Sequence, residues 1–206
     1  MVLEQEIKLS VLGCELDLNT IAFPGYQQSE IKRERLISTY FDTPGLTLIK
    51  HGVGLRMRFD GNQWCQTVKE TGHVKNGLHQ RQEWEQVLPT KDFDLESLKA
   101  TPLKRLIENK AIWPKVSSVF TTDFIRQIIV LTIQDHTEIE FAYDQGTIYG
   151  ENKVSTIHEI ELELKAGDLN QLQLLATHLK SILAIQVNDI SKAQQGYALL
   201  STNVQL

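Results

Sequence analysis

The chain has 206 residues, 41% of them hydrophobic and 23% charged, which is the profile of an ordinary soluble globular protein. No apolar run is long enough to span a bilayer as a helix, and the acidic start MVLEQEIKL has neither the positive charge nor the apolar segment of a secretory signal. A net charge of −5 argues against a general nucleic-acid binder, and Cys14 and Cys65, which lack metal-type spacing, are expected to be buried, reduced thiols of a cytoplasmic protein.

Period-two alternation predicts strands over residues 3–9, 35–42, 54–60, 63–70, 81–88 and 121–131, the last continuing to Gln134. Asp60-Gly61 lies between two of these runs and reads as a hairpin turn. Helical spacing follows over residues 95–107, with Pro102 breaking or restarting it. Strands return over 138–143, 147–149 and 157–165, with Asp144-Gln145-Gly146 linking the first two. The clearest helix covers residues 169–183, with Asp168 as its N-cap and Leu172, Leu175 and Leu179 on its apolar stripe. A short helix from about residue 191 starts on the capping Ser191. No repeat, low-complexity tract or linker divides the chain, so residues 1–206 read as one domain.

Alternate positions of these strands carry the information, because successive side chains on a strand point to opposite faces. Glu4, Glu6 and Lys8 share a face, as do Arg56 and Arg58; Arg81, Glu83 and Glu85; Glu138 and Glu140; and Glu159, Glu161, Glu163 and Lys165. For a single strand the plain alternative is a half-exposed sheet facing water. Here at least five strands carry ionised groups of both signs, as if meeting across a shared space. The expected fold is therefore α+β: a closed antiparallel β-barrel with charges inside and a few helices packed outside. Buried charges must be paired, solvated or neutralised by ligand. Acids would hold a hard cation, and arginines and lysines would take phosphate oxygens.

The five residues Glu4-Gln5-Glu6-Ile7-Lys8 match the ExExK signature of the CYTH domains, the triphosphate tunnel metalloenzyme superfamily. Further blocks resemble that family in its order: YFDTPGLTLIKHGVGLRMR, WCQTVKE, HQRQEWE, TDFIRQ, EIEFAYDQG, HEIELELKAGD and the closing SKAQQGYAL. Among its branches the chain looks most similar to bacterial inorganic triphosphatases. Some of those carry a further helical phosphate-binding domain, and this sequence ends at Leu206 without one.

The resemblance implies a metal-dependent hydrolase of inorganic triphosphate; hard oxygen ligands suit Mg²⁺ or Mn²⁺, and the choice between monomer and homodimer is left open by the sequence. Carried over position by position, it makes Glu4, Glu6, Glu159 and Glu161 the leading metal carboxylates, with Asp144 and Glu163 as further candidates. Lys8, Arg56, Arg58, Lys69, Arg81, Arg126, Lys165 and Lys192 would bind the phosphates, and Glu4, Glu6, Lys8 and Arg58 would carry the chemistry. The alternatives are a class IV adenylyl cyclase or a thiamine triphosphatase acting on a nucleoside or organic triphosphate, and a non-catalytic polyphosphate- or nucleotide-binding module. Locally, Asp144 also reads as a turn-stabilising residue, Lys192 as a solvated one, and all six histidines as loop or surface residues without zinc spacing. Gly52 and Gly54 lack the lysine of a P-loop.

Overall fold

A computed structural model describes residues 1–133 and 136–200, so Gln134 lies outside the described residues. In chain order the elements are β1 (Val2–Val11), β2 (Gln27–Gln28), β3 (Lys32–Asp42), α1 (Thr47–Lys50), β4 (Val53–Phe59), β5 (Trp64–Glu70), β6 (His73–Lys75) and β7 (Leu78–Leu88). They continue with α2 (Leu95–Lys99), α3 (Lys104–Ile107), β8 (Ser117–Thr132), β9 (Glu138–Tyr149), β10 (Val154–Ala166), α4 (Leu169–Ile182), β11 (Ile185–Val187) and α5 (Lys192–Ala198).

Eight strands close into an antiparallel barrel in the order β1, β10, β9, β8, β3, β4, β5, β7, the β7–β1 pairing completing the ring. The short strands β2, β6 and β11 add to its edges. The Asp60-Gly61 turn is a hairpin: Asp60 Oδ1 accepts from the N–H groups of Asn62 and Gln63, and Gly61 takes a φ of 96°.

One local reading is corrected. Residues 144–146 do not form a turn: β9 runs unbroken from Glu138 to Tyr149, with Asp144 paired to Arg126 on β8 and to Glu159 on β10. Gly146 is glycine for another reason. A Cβ there would overlap the backbone of Asp123 and Phe124, so its bare Cα lets β8 and β9 approach closely.

Apolar strand faces point outward and are covered by helices. α4, capped by Asp168 as its spacing predicts, lays Leu172, Leu175 and Leu179 on Phe141, Ile160 and Leu162. Each fully buried leucine contributes about 2 kcal/mol. α2 and α3, separated around Pro102, cover Leu55 and Val68 on the β4–β5 side. α5 packs on inward-facing residues instead. Tyr40, Phe120, Phe124, Ile148 and Ile157 lie on the same faces as the charged residues, and Tyr197 of α5 closes over them. The barrel interior is thus apolar at one end and charged along the rest.

Candidate functional site: a charged tunnel

A cavity of about 420 Å³ lies inside the barrel, a size that suits a small ligand. Among the residues lining it are nine glutamates and eight lysines or arginines. The alternation read from sequence is what aims them inward. Every expected site residue lines this cavity except Asp144 and Glu159, which lie just behind it, fully or almost fully buried.

The structure sorts these residues into groups. Asp144, Glu159 and Glu161 bring carboxylate oxygens within 4.8 Å of one another, the one such cluster among the described residues with the donors for a metal ion. Two come from neighbouring strands in register, Asp144 opposite Glu159, and Glu161 is two residues further along β10. Three cations enclose them. Lys192 lies 2.6 Å from Asp144 and 2.9 Å from Glu161 and also pairs with Glu159. Arg126 grips Asp144 through Nε and a terminal nitrogen, at 2.7 and 2.6 Å, and also reaches Glu161. Lys8 pairs with Glu161 and lies 3.0 Å from Glu6. Burial raises the Glu159 carboxyl, whereas the surrounding cations hold Asp144 and Glu161 below the usual carboxylate range against the same burial.

Glu4 and Glu6 are held mainly by a second set of cations, although Lys8 joins Glu6 to Glu161. Arg81 bonds Glu4 at 2.6 Å and Glu6 at 3.0 Å, and Lys69 bonds Glu4 at 2.8 Å. Burial alone would raise Glu4, but Lys69 and Arg81 hold it well below its ordinary value. Glu83 shares Lys69 at 2.9 Å and faces Arg56 at 3.7 Å; there burial wins and pushes its carboxyl up to about 7. Glu163 pairs with Lys165 at 2.8 Å, away from the trio.

Arg58 is the exception. Among the described residues it is the one lysine or arginine lining the cavity without a carboxylate in ion-pair range; its Nε donates to Ser38 Oγ at 3.0 Å. Burial, then the charges of Arg56 and Arg126, push it down to about 10. Its strand β4 is four places from β10 in the eight-membered ring, so the arginine strand and the acidic strand face each other across the tunnel. This opposition cannot be read from linear spacing.

Several residues were missed or misjudged in sequence. Tyr40 lines the cavity; burial would raise its phenol, but Arg56, Arg58 and Lys69 pull it below its ordinary value. His79 is not a surface residue: it is 2% exposed, lines the cavity and contacts the Asn188 carbonyl at 3.1 Å. Asn188 also donates to Glu159 at 3.2 Å. The two cysteines are free, but Cys14 is exposed and Cys65 only partly buried.

The fold and cavity together define a tunnel protein, a closed barrel whose interior holds interleaved acids and bases. The chain belongs to the CYTH domain family, whose pattern matches residues 3–197. It is 31% identical over 203 residues to an inorganic triphosphatase of Haemophilus influenzae, covering 97% of this chain and 55% of that protein, so it spans about half the length of that curated relative. Solved structures share the fold at low identity. A Hippeastrum protein, proposed as an adenylyl cyclase and described as having a dominant triphosphatase activity, superposes with a TM-score of 0.63 at 17% identity over 95% of both chains. A proposed adenylate cyclase of Bacillus halodurans gives 0.55 at 17% identity, covering 95% of this chain and 98% of that one. No helix among the described residues is long and apolar enough to cross a membrane.

Proposed function

We propose that the chain hydrolyses inorganic triphosphate to pyrophosphate and phosphate with a hard divalent cation, Mg²⁺ or Mn²⁺, in the cytoplasm. The observation that carries this reading is Arg58, which among the described residues has no carboxylate in ion-pair range, on a strand facing the carboxylate trio of Asp144, Glu159 and Glu161. An anion placed between them gains a guanidinium on one side and a cation-holding group on the other.

The donor set fits such a cation, because all three ligands offer only carboxylate oxygens, which suit Mg²⁺ or Mn²⁺ better than thiophilic ions. When bound, the ion would neutralise phosphate charge and orient the chain of phosphates. The balance of the lining supports the same dependence. With nine carboxylates against eight basic side chains, the cavity alone has no surplus positive charge for a polyanion.

The protein's part is then positioning and electrostatics. Arg56 and Arg58 hold phosphoryl oxygens from β4, while Lys8, Lys69, Arg81 and Arg126 exchange some of their carboxylate contacts for phosphate. Glu4 and Glu6 keep Arg81 and Lys8 in place. Tyr40 lines the same cavity, its phenol pulled below its ordinary value against burial by Arg56, Arg58, Lys69 and Lys192. An inorganic substrate is favoured over a nucleotide because the inner aromatic rings already pack together: Tyr40 stacks on Phe120 at 4.4 Å, and Tyr197 meets Phe120 edge-on at 5.1 Å.

The test is phosphate release from inorganic triphosphate, ATP and thiamine triphosphate in parallel, with Mg²⁺, Mn²⁺ or EDTA. Preference for inorganic triphosphate, abolished by EDTA and by Arg58→Ala, is expected. Cyclic AMP from ATP would replace the reading with a cyclase, and tight binding without release at any metal concentration would replace it with a binding module.

A further inference from the structure

Two sequence blocks, the one holding Phe41-Asp42-Thr43 and the closing SKAQQGYAL, meet at a buried carboxylate outside the charged part of the tunnel. Asp42, the last residue of β3, is 0% exposed. Its Oδ1 accepts the N–H of Thr43 at 2.7 Å and of Leu48 at 2.8 Å, and its Oδ2 that of Ile49 at 3.1 Å. Those bonds close the turn into α1. The fourth donor comes from elsewhere: Tyr197 of α5 gives its hydroxyl proton to Oδ2 at 3.1 Å.

α5 has only seven residues, too few to hold a helix or its own placement without outside contacts. Its N-terminus is closed by a capping box between Ser191 and Gln194. Gly196 lies flat on the Phe120 ring, where any Cβ would overlap it. Lys192, the first residue of the helix, reaches Asp144, Glu159 and Glu161. Tyr197 follows Lys192 by five helical steps, about 7.5 Å along the axis. The helix is thus fixed near its C-terminal end to Asp42 while its N-terminal end delivers an ammonium to the trio.

We propose that the Asp42–Tyr197 hydrogen bond is a latch that sets the position of Lys192, making Asp42 and Tyr197 positioning residues for triphosphate although neither belongs to the charged site. The inference rests on the reading of Lys192 and the trio as part of the triphosphate site. It explains why one block joins a lysine and a tyrosine on one short helix. It also gives the Asp of the early block a task at the other end of the chain.

A double-mutant cycle tests it. Tyr197→Phe keeps the ring on Phe120 and removes only the hydroxyl. Binding of inorganic triphosphate with Mg²⁺ is measured calorimetrically in wild type, Tyr197→Phe, Lys192→Ala and the double variant, with Arg81→Ala as the control background. Tyr197→Phe should weaken binding about tenfold in wild type and in Arg81→Ala, the size expected for one hydrogen bond to a charged acceptor. In Lys192→Ala it should change binding less than about twofold, because the group it positions is gone. An equal loss in the Lys192→Ala background, or no loss in wild type, overturns the latch and leaves the site intact. If Lys192→Ala alone binds triphosphate like wild type, the assignment of Lys192 to the site fails first, and the latch fails with it.

Discussion

The ammonium of Lys192 lies 2.6 Å from Asp144, inside the carboxylate group that has the donors for a divalent cation. A divalent cation held there would draw on the same three acids as the buried lysine. Removing the lysine leaves those acids less neutralised, while taking a positive charge away from the phosphates. Lys192→Ala should bind Mn²⁺ alone more tightly, by at least about tenfold since the few kcal/mol that such a charge pair carries exceed the roughly 1.4 kcal/mol of a tenfold change, and bind triphosphate more weakly. Calorimetric titration of each ligand reads both changes. Shifts in the same direction would show that Lys192 does not compete with the cation.

Asn188 is held on all sides. Its N–H donates to the Lys8 carbonyl at 2.9 Å, its own carbonyl meets His79 at 3.1 Å, and its Oδ1 accepts the Ile190 N–H at 2.9 Å. Its Nδ2 is thereby aimed at Glu159, 3.2 Å away. Groups that orient a metal-binding carboxylate typically change affinity by about 10- to 100-fold when removed. Asn188→Ala should weaken Mn²⁺ binding by at least about tenfold with little change in melting temperature. An unchanged Mn²⁺ affinity would remove Asn188 from the site.

Glu83 supplies a pH signature. Its carboxyl lies at about 7 in the folded protein against 4.5 ordinarily, so the folded state binds its proton more tightly than the unfolded chain. The stability this gives is fully present below pH 4.5 and lost as pH rises through 7. Urea unfolding of wild type and Glu83→Gln at pH 5, 6, 7 and 8 should show the glutamine variant gaining on wild type as pH rises. Parallel curves would mean that Lys69 and Arg56 keep Glu83 ionised throughout.

Gly146 tests the barrel itself. A methyl group there would meet the backbone of Asp123 and Phe124, which cannot move aside as a flexible side chain can. Gly146→Ala should cost at least about 3 kcal/mol, the upper range for overpacking, read as a lowered urea midpoint. A cost under about 1 kcal/mol would show that β8 and β9 have room to separate.

Much of this was legible in the residues. Strand parity placed Glu4, Glu6, Lys8, Arg56, Arg58 and the acids of β10 on inward faces, because side-chain alternation is a local property of any strand. Ser191 and Asp168 marked helix starts for the same local reason: a short oxygen-bearing side chain satisfies free N–H groups. The Asp144-Gln145-Gly146 segment misled because its composition matches a turn, while the need for glycine comes from a neighbouring strand.

What the sequence determined by itself was the set of charged inward positions, the barrel they imply and the family they resemble, all of which follow from period and local chemistry. Only the tertiary structure decided which charges meet. Ring closure set β4 opposite β10 and left Arg58 without a carboxylate partner among the described residues, and register placed Asp144 beside Glu159. The packing of α5 carried Lys192 and Tyr197 to residues from distant parts of the chain. Such pairings depend on distances through space, and residues 33, 48 or 155 positions apart in sequence are neighbours here because α5 packs onto the inner faces of β3, β9 and β10.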